Sequence, residues 1–210
     1  MNGRIKKVFL DTIFLSIIVG KIRGGSLMNI GELNFQRAYL FFLGFLIQLA
    51  IGVLGFKEVP FSQIICSSLH IISYIFIFVG LYANLKIPGV RLLGLGSFLN
   101  FLVIAANGGR MPVSLDRLEY LGRISDIELL KSGSVPMYIA TKGDVLSKIL
   151  GDVLALPKPI FGSQVFSIGD IIMGIGFFIL LQEVMLGDKL IKDHGKGVCD
   201  NASINKPLVQ

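Results

Sequence analysis

Two acids, Asp152 in Leu150-Gly151-Asp152-Val153 and Asp170 in Val165-Phe166-Ser167-Ile168-Gly169-Asp170, stand in mostly apolar surroundings. An ionisable group inside a membrane segment costs about 3 kcal/mol and marks a functional site by default. Two carboxylates brought to one such place cannot both ionise cheaply. One then holds the proton while the other acts as base toward a water, which is the chemistry of a membrane-embedded aspartic hydrolase. A structural reading of Asp170 competes with this. Ser167-x-x-Asp170 ahead of an apolar run has capping-box spacing. The serine would satisfy free N–H groups while the aspartate favours the positive end of a helix.

A second constellation is Asn107-Gly108-Gly109-Arg110-Met111-Pro112. Asn-Gly stops a helix, and Pro112 prevents its continuation. The functional reading adds an anion site. Successive glycine N–H groups and the Arg110 guanidinium would bind a lipid phosphate or a carboxylate. Arg23-Gly24-Gly25 repeats that chemistry further up the chain. Other polar residues have plainer readings. His70, among Ser67, Ser68, Ser73 and Tyr74, reads as a satisfied imidazole in a bundle core, against a proton relay. Asp11 reads as the i,i+4 partner of Lys7, and Glu183 as an acid near a helix end. Cys66 and Cys199 have no CxxC or Cys/His spacing, so neither a disulfide nor a metal site is expected. No cofactor is expected.

The elements that must position these groups are apolar. Of 210 residues, 53% are hydrophobic and 16% charged, against about 25% charged in a soluble domain; mean hydropathy is +0.74. These figures exclude a disordered chain and a nucleic-acid-binding domain. They predict an all-α integral membrane protein with about five transmembrane helices, near 8–19, 38–56, 64–85, 87–106 and 165–186. The first is short and follows Arg4, Lys6 and Lys7, which leaves a signal peptide as the alternative to a short or tilted helix. Lys57–Gln63 reads as a tight turn around Pro60. Residues 107–164 are too many for a structureless loop. There Leu115, Leu118, Leu121, Ile124, Ile127 and Leu130 recur every third residue, weakened by Gly122. The stripe fits an amphipathic helix on the membrane surface, or equally a small extramembrane helix packed on other loops. Val145–Leu150 could behave likewise. Residues 187–210 read as a polar, disordered tail.

Orientation follows from basic residues in short connections. Lys21, Arg23, Arg37, Lys86 and Arg91, with Lys189, Lys192, Lys196 and Lys206, share one side when the N-terminus is outside. Arg4, Lys6, Lys7 and Lys57 share the other; the long region adds seven more there, but a long translocated region weighs less under this rule. The balance leans to N-out and C-in.

Four stretches carry a family resemblance: Gly20-Lys21-Ile22-Arg23-Gly24-Gly25; Asn100 through Ser114, with Asn107-Gly108-Gly109-Arg110-Met111-Pro112 at its centre; Leu150-Gly151-Asp152-Val153-Leu154-Ala155-Leu156-Pro157; and Val165 through Asp170. In order and spacing the chain resembles the bacterial membrane-protein family known as domain-of-unknown-function family 5317. The resemblance implies a multi-pass protein of the bacterial cytoplasmic membrane and brings no assigned activity. Separately, Phe166-Ser167-Ile168-Gly169-Asp170-Ile171-Ile172 is similar to the last aspartate motif of signal peptidase II, and Asp152 lies about as far upstream as that family's other catalytic aspartate. The Gly-Asn-x-x-Asp-Arg motif of that family is missing. Two expectations result. One is a membrane protein of unknown biochemical role, more in keeping with a non-enzyme, that recognises lipid head groups or a partner membrane protein through 107–164, with Asn107, Gly108, Gly109 and Arg110 as anchor. The other is an aspartic hydrolase using Asp152 and Asp170. Membrane lipids are the expected partners and nucleic acid is not. A transporter fits less well, since no half-chain repeat is visible.

Overall fold

The computed structural model describes residues 7–202 apart from 32, 34, 56–62, 142 and 158–162, with side chains described between 12 and 187 except at 54 and 55. The turn around Pro60 and the Asp11–Lys7 pair therefore lie outside the described residues. The chain is mostly helical. Five apolar helices, α1 (Lys7–Ile22), α3 (Ala38–Gly55), α4 (Gln63–Tyr82), α5 (Val90–Ala106) and α9 (Ile168–Ala202), are joined by short pieces: α2 (Met28–Gly31), α6 (Leu115–Tyr120), α7 (Ile124–Lys131) and α8 (Val145–Leu150). Two stretches, Gln63–Tyr82 and Ile168–Gly187, have the length and composition to cross a membrane, and Thr12–Ile22, Ala38–Val53 and Val90–Ala106 are shorter apolar helices.

Side-chain contacts give the helix directions. In α1 and α9, Ser16 Oγ donates to the Phe178 carbonyl (3.2 Å) and Gln182 Nε2 donates back to the Ser16 carbonyl (2.7 Å), while Gly20 meets Met185. These two helices run parallel. Helix α5 runs against α9, because Asn100 near its end meets Asp170 at the start of α9, and Gly89 meets Gly176. Helix α4 runs against α5, with His70 beside Gly109 and Phe78 beside Phe98. Helix α3 runs against α4, with Gln48 bonded to Ser73 (3.0 Å) and Phe41 against Gly80. The result is an up-and-down bundle. Its cap end holds the start of α1 and the described residues between 107 and 164; its far end holds the described residues of 23–37, and 83–89.

At the far end Ile77, Leu81, Val90, Leu93 and Leu180 form one apolar cluster. At the cap end Tyr74, Val103, Ile104 and Met111 form another. Small residues bring α5 and α9 close: a Cβ at Gly96 would meet Met173, and one at Gly169 would overlap the Asn100 side chain. Interhelical approach this close relies on small residues at the contact.

The structure corrects several of the sequence expectations. The chain is not all-α. Strand β1 (Met111–Val113) pairs in parallel with β2 (Tyr138–Ala140), and β3 (Leu154–Leu156) pairs antiparallel with β4 (Gln164–Phe166). Three-residue strands are too short for an alternating pattern to register. Because β4 takes residues 164–166, the last apolar helix begins at Ile168 and not at 165. The apolar stripe 115–130 is also not one helix lying on a membrane. Gly122 takes φ +66° and breaks it into α6 and α7. Leu118 and Leu130 then turn inward with Val113 and Val165 to form the core of the cap, against which Leu115, Leu121 and Ile127 pack. Beyond residue 187 the backbone of α9 continues as helix to Ala202, through residues whose composition reads as a disordered tail.

Candidate functional site

The site begins with how α5 ends. Asn107 is the C-cap, and its N–H reaches the Val103 and Ile104 carbonyls. Gly108 (φ +64°) and Gly109 (φ +82°) turn the chain back, their N–H groups bonded to Ala105 and Ile104. A side chain at 109 would be doubly excluded, since a Cβ there would lie 2.6 Å from the Ser67 carbonyl. The stop signal is therefore present as expected. The glycine N–H groups, however, are spent on closing the helix. The Asn107 amide is occupied as well, donating to the Val103 carbonyl (2.8 Å) and to Ser147 Oγ (3.0 Å). Of the four residues proposed as an anion anchor, Arg110 alone keeps a free group: its Nε is buried without a hydrogen-bond partner among the described residues. His70 is the core imidazole the sequence implied, with Nδ1 donating to the Gly109 carbonyl at 2.7 Å. Arg23-Gly24-Gly25 lies at the other end of the bundle, where Arg23 bonds Gln182 (3.1 Å), so the two glycine-arginine stretches do not form one site.

Asp152 is built in by its backbone. Its N–H donates to the Pro112 carbonyl (2.9 Å) and its carbonyl accepts from the Ser114 N–H (3.0 Å), a parallel bridge opposite Val113. Strand β1 thus carries β2 on one edge and Asp152 on the other. The antiparallel register Leu154↔Phe166, continued outward, brings Asp152 level with Ile168, two residues before Asp170. So the hairpin that sequence reasoning missed is what brings the two acids within electrostatic reach of one another. Asp152 is 3% exposed, and its Oδ1 has no hydrogen-bond partner among the described residues. Burial, followed by the charge of Asp170, pushes its carboxyl well above the ordinary aspartate range. The Tyr138 phenol beside it is also pushed up, first by burial and then by the charges of Asp152 and Asp170.

Asp170 is differently placed. Its Oδ2 accepts from the Ser167 N–H (3.0 Å), and its own N–H donates to Ser167 Oγ (3.0 Å), the reciprocal capping box that the spacing implied. Asn100 closes the arrangement, donating to Asp170 Oδ1 (2.9 Å) and accepting from Ser167 Oγ (2.8 Å). Both carboxylate oxygens thus have donors, as an ionised acid at a helix N-terminus requires. Asn100 was missed as a site residue, although it stands first in one of the stretches that carry the resemblance. Asp170 also borders an open cavity of about 400 Å³ between α1 and α9, lined by Leu15, Ile171, Ile175, Phe178 and Gln164 among others. Among the described residues no group of three His, Cys, Asp or Glu side chains is arranged to hold a metal.

Comparison with known proteins establishes the family. A model described as a family of unknown function, DUF5317, matches residues 32–182, and the chain belongs to that family. An uncharacterized protein of Thermotoga maritima is 29% identical over 172 residues, covering 82% of this chain and 86% of the relative. No solved structure matches. The local likeness to signal peptidase II is not shown by these matches.

Proposed function

We propose that this chain is a multi-pass protein of the bacterial cytoplasmic membrane. Helices α1, α3, α4, α5 and α9 span it, the cap end and N-terminus face outward, and the C-terminal end faces inward. The observation that carries this reading is the apolar belt. Phe14, Phe42, Ile75, Leu95 and Ile175, one from each of the five helices, are each about half exposed or more. A contiguous apolar surface of this extent is foreign to a soluble monomer. The antiparallel order of the helices gives an odd number of crossings, so the termini lie on opposite sides. Cysteine labelling at positions 2 and 200, in a Cys66→Ser, Cys199→Ser background, tests this in intact cells. Position 2 labels from outside and position 200 does not; the reverse pattern overturns the orientation, and labelling of both overturns the five spans.

The cap recognises an anionic lipid head group through Arg110, whose buried Nε has no partner of its own. A buried guanidinium N–H left unmade is costly, and a phosphate oxygen is its natural acceptor. Reconstituted wild type should retain anionic phosphatidylglycerol over phosphatidylcholine, and Arg110→Ala should lose that preference. An unchanged preference removes the anchor.

One observation favours a second reading, an aspartic hydrolase. Asp152 Oδ1 is buried and unpartnered beside Asp170, and an orphaned buried acid calls for an explanation. In that reaction Asp152 holds the proton and Asp170 acts as base toward a water. Cleavage of a reporter peptide in vesicles by wild type, lost in Asp152→Asn, would support it. Cleavage unaffected by Asp152→Asn would remove Asp152 from the chemistry.

A further inference from the structure

The cap carries one helix whose outer face is as apolar as the bundle. In α8, Val145 is 74%, Ile149 52% and Leu146 37% exposed. These positions are i, i+4 and i+1, a single face. The opposite face is tied down. Ser147 is fully buried and bonded to Asn107 at the end of α5, and Leu150 packs on the cluster of Tyr74, Val103, Ile104 and Met111. The Ser147–Asn107 bond sets α8 beside the end of α5. The Asp144 carboxylate caps the helix start, accepting from the Ser147 N–H (2.9 Å).

We propose that α8 is an interfacial helix that rests in the lipid bilayer, with Val145, Leu146 and Ile149 among the upper acyl chains. Two features point to lipid as the occupant. The apolar face of α8 is continuous with the belt, since α8 packs beside α5 and α9 where Leu102, Phe98, Ile168 and Ile171 are themselves exposed. Lys148 is also exposed on the same helix, and a lysine beside an apolar face lays its stem along hydrocarbon and its ammonium among phosphates. The helices α6 and α7 do not share this role, because their stripe, apart from the exposed Ile124, is spent on the core of the cap. This inference deepens the five-span reading and rests on it.

The chain has no tryptophan, so one introduced tryptophan reports its own surroundings. Four single variants in vesicles with brominated phosphatidylcholine form the test: Val145→Trp and Ile149→Trp on α8, Phe42→Trp on the belt, and Tyr120→Trp on α6, where the native side chain is 68% exposed. The α8 variants should emit at shorter wavelength and be quenched at least twofold by bromine near the head groups. Phe42→Trp should be quenched by bromine deep in the chains, and Tyr120→Trp by neither. Unquenched α8 variants beside a quenched Phe42→Trp overturn the placement of α8 and leave the five spans standing, with a protein partner as the alternative occupant. An unquenched Phe42→Trp overturns both. Quenching of Tyr120→Trp to the same extent as Val145→Trp overturns the restriction to α8.

Discussion

Replacing Asp152 by asparagine should stabilise the protein at neutral pH and do so less and less as the pH falls. Burial holds the Asp152 carboxyl well above the ordinary aspartate range in the folded chain, while the unfolded chain titrates near the usual value of about 3.9. Below that value both states carry the proton and the group makes no difference. As the pH rises from there, the unfolded state gives up its proton first, so it gains stability relative to the fold. The loss is about 1.4 kcal/mol per pH unit until the folded group titrates in turn. Asparagine keeps the shape and carries no charge, so it removes this penalty. For a chain of this size 1 kcal/mol corresponds to about 2–4 °C in Tm. The variant's advantage should therefore grow by about 3–5 °C for each pH unit above 4, and then level off. The assay is thermal melting of wild type and Asp152→Asn in one detergent from pH 4 to pH 8, followed by tyrosine absorbance or gel filtration. A difference that does not vary with pH would mean that this carboxyl is not the one that titrates. A variant less stable than wild type at pH 8 would mean that Asp152 is ionised and paired, and would refute the reasoning.

Other substitutions probe the supports of the site. Ser167→Ala removes a cap and one partner of Asn100 and should cost about 1–2 kcal/mol, read as a lower melting midpoint. Gly169→Ala pushes a methyl into the Asn100 side chain and should cost about 1–3 kcal/mol; unchanged melting would show that α5 and α9 can part without penalty. Arg123 and Asp126 form a buried ion pair in the cap. Arg123→Ala should cost about 3–5 kcal/mol, whereas Arg123→Met together with Asp126→Leu should be close to neutral. Partial proteolysis of the cap would distinguish the two.

Much of the architecture follows from local chemistry and is legible along the chain. Apolar runs, the Asn107-Gly108 stop and the Ser167-x-x-Asp170 box each depend on residues within a few positions of one another, so they survive translation into structure almost unaltered. Helix starts shifted by a few residues where the chain before them had other work, as with Gln164–Phe166 in β4. The meaning of a polar residue was less legible, because it depends on what arrives from elsewhere. Gly108 and Gly109 offer N–H groups to an anion on paper, yet α5 consumes them. The stripe from Leu115 to Leu130 has the period of a surface helix, yet the break at Gly122 folds it onto Val113 and Val165.

Asp152 and Asp170 mark the division most sharply. Composition and spacing alone identified both as costly acids and supplied a cap for one of them, because a capping box is a matter of four consecutive residues. That they lie within electrostatic reach of one another is decided by tertiary structure: a parallel bridge to β1 and a two-strand hairpin, neither with any periodic signature, fold the intervening chain back on itself. The same packing decided that Asp170 gains a donor from Asn100, on a helix seventy residues away in the chain, while Asp152 Oδ1 is left without a partner among the described residues.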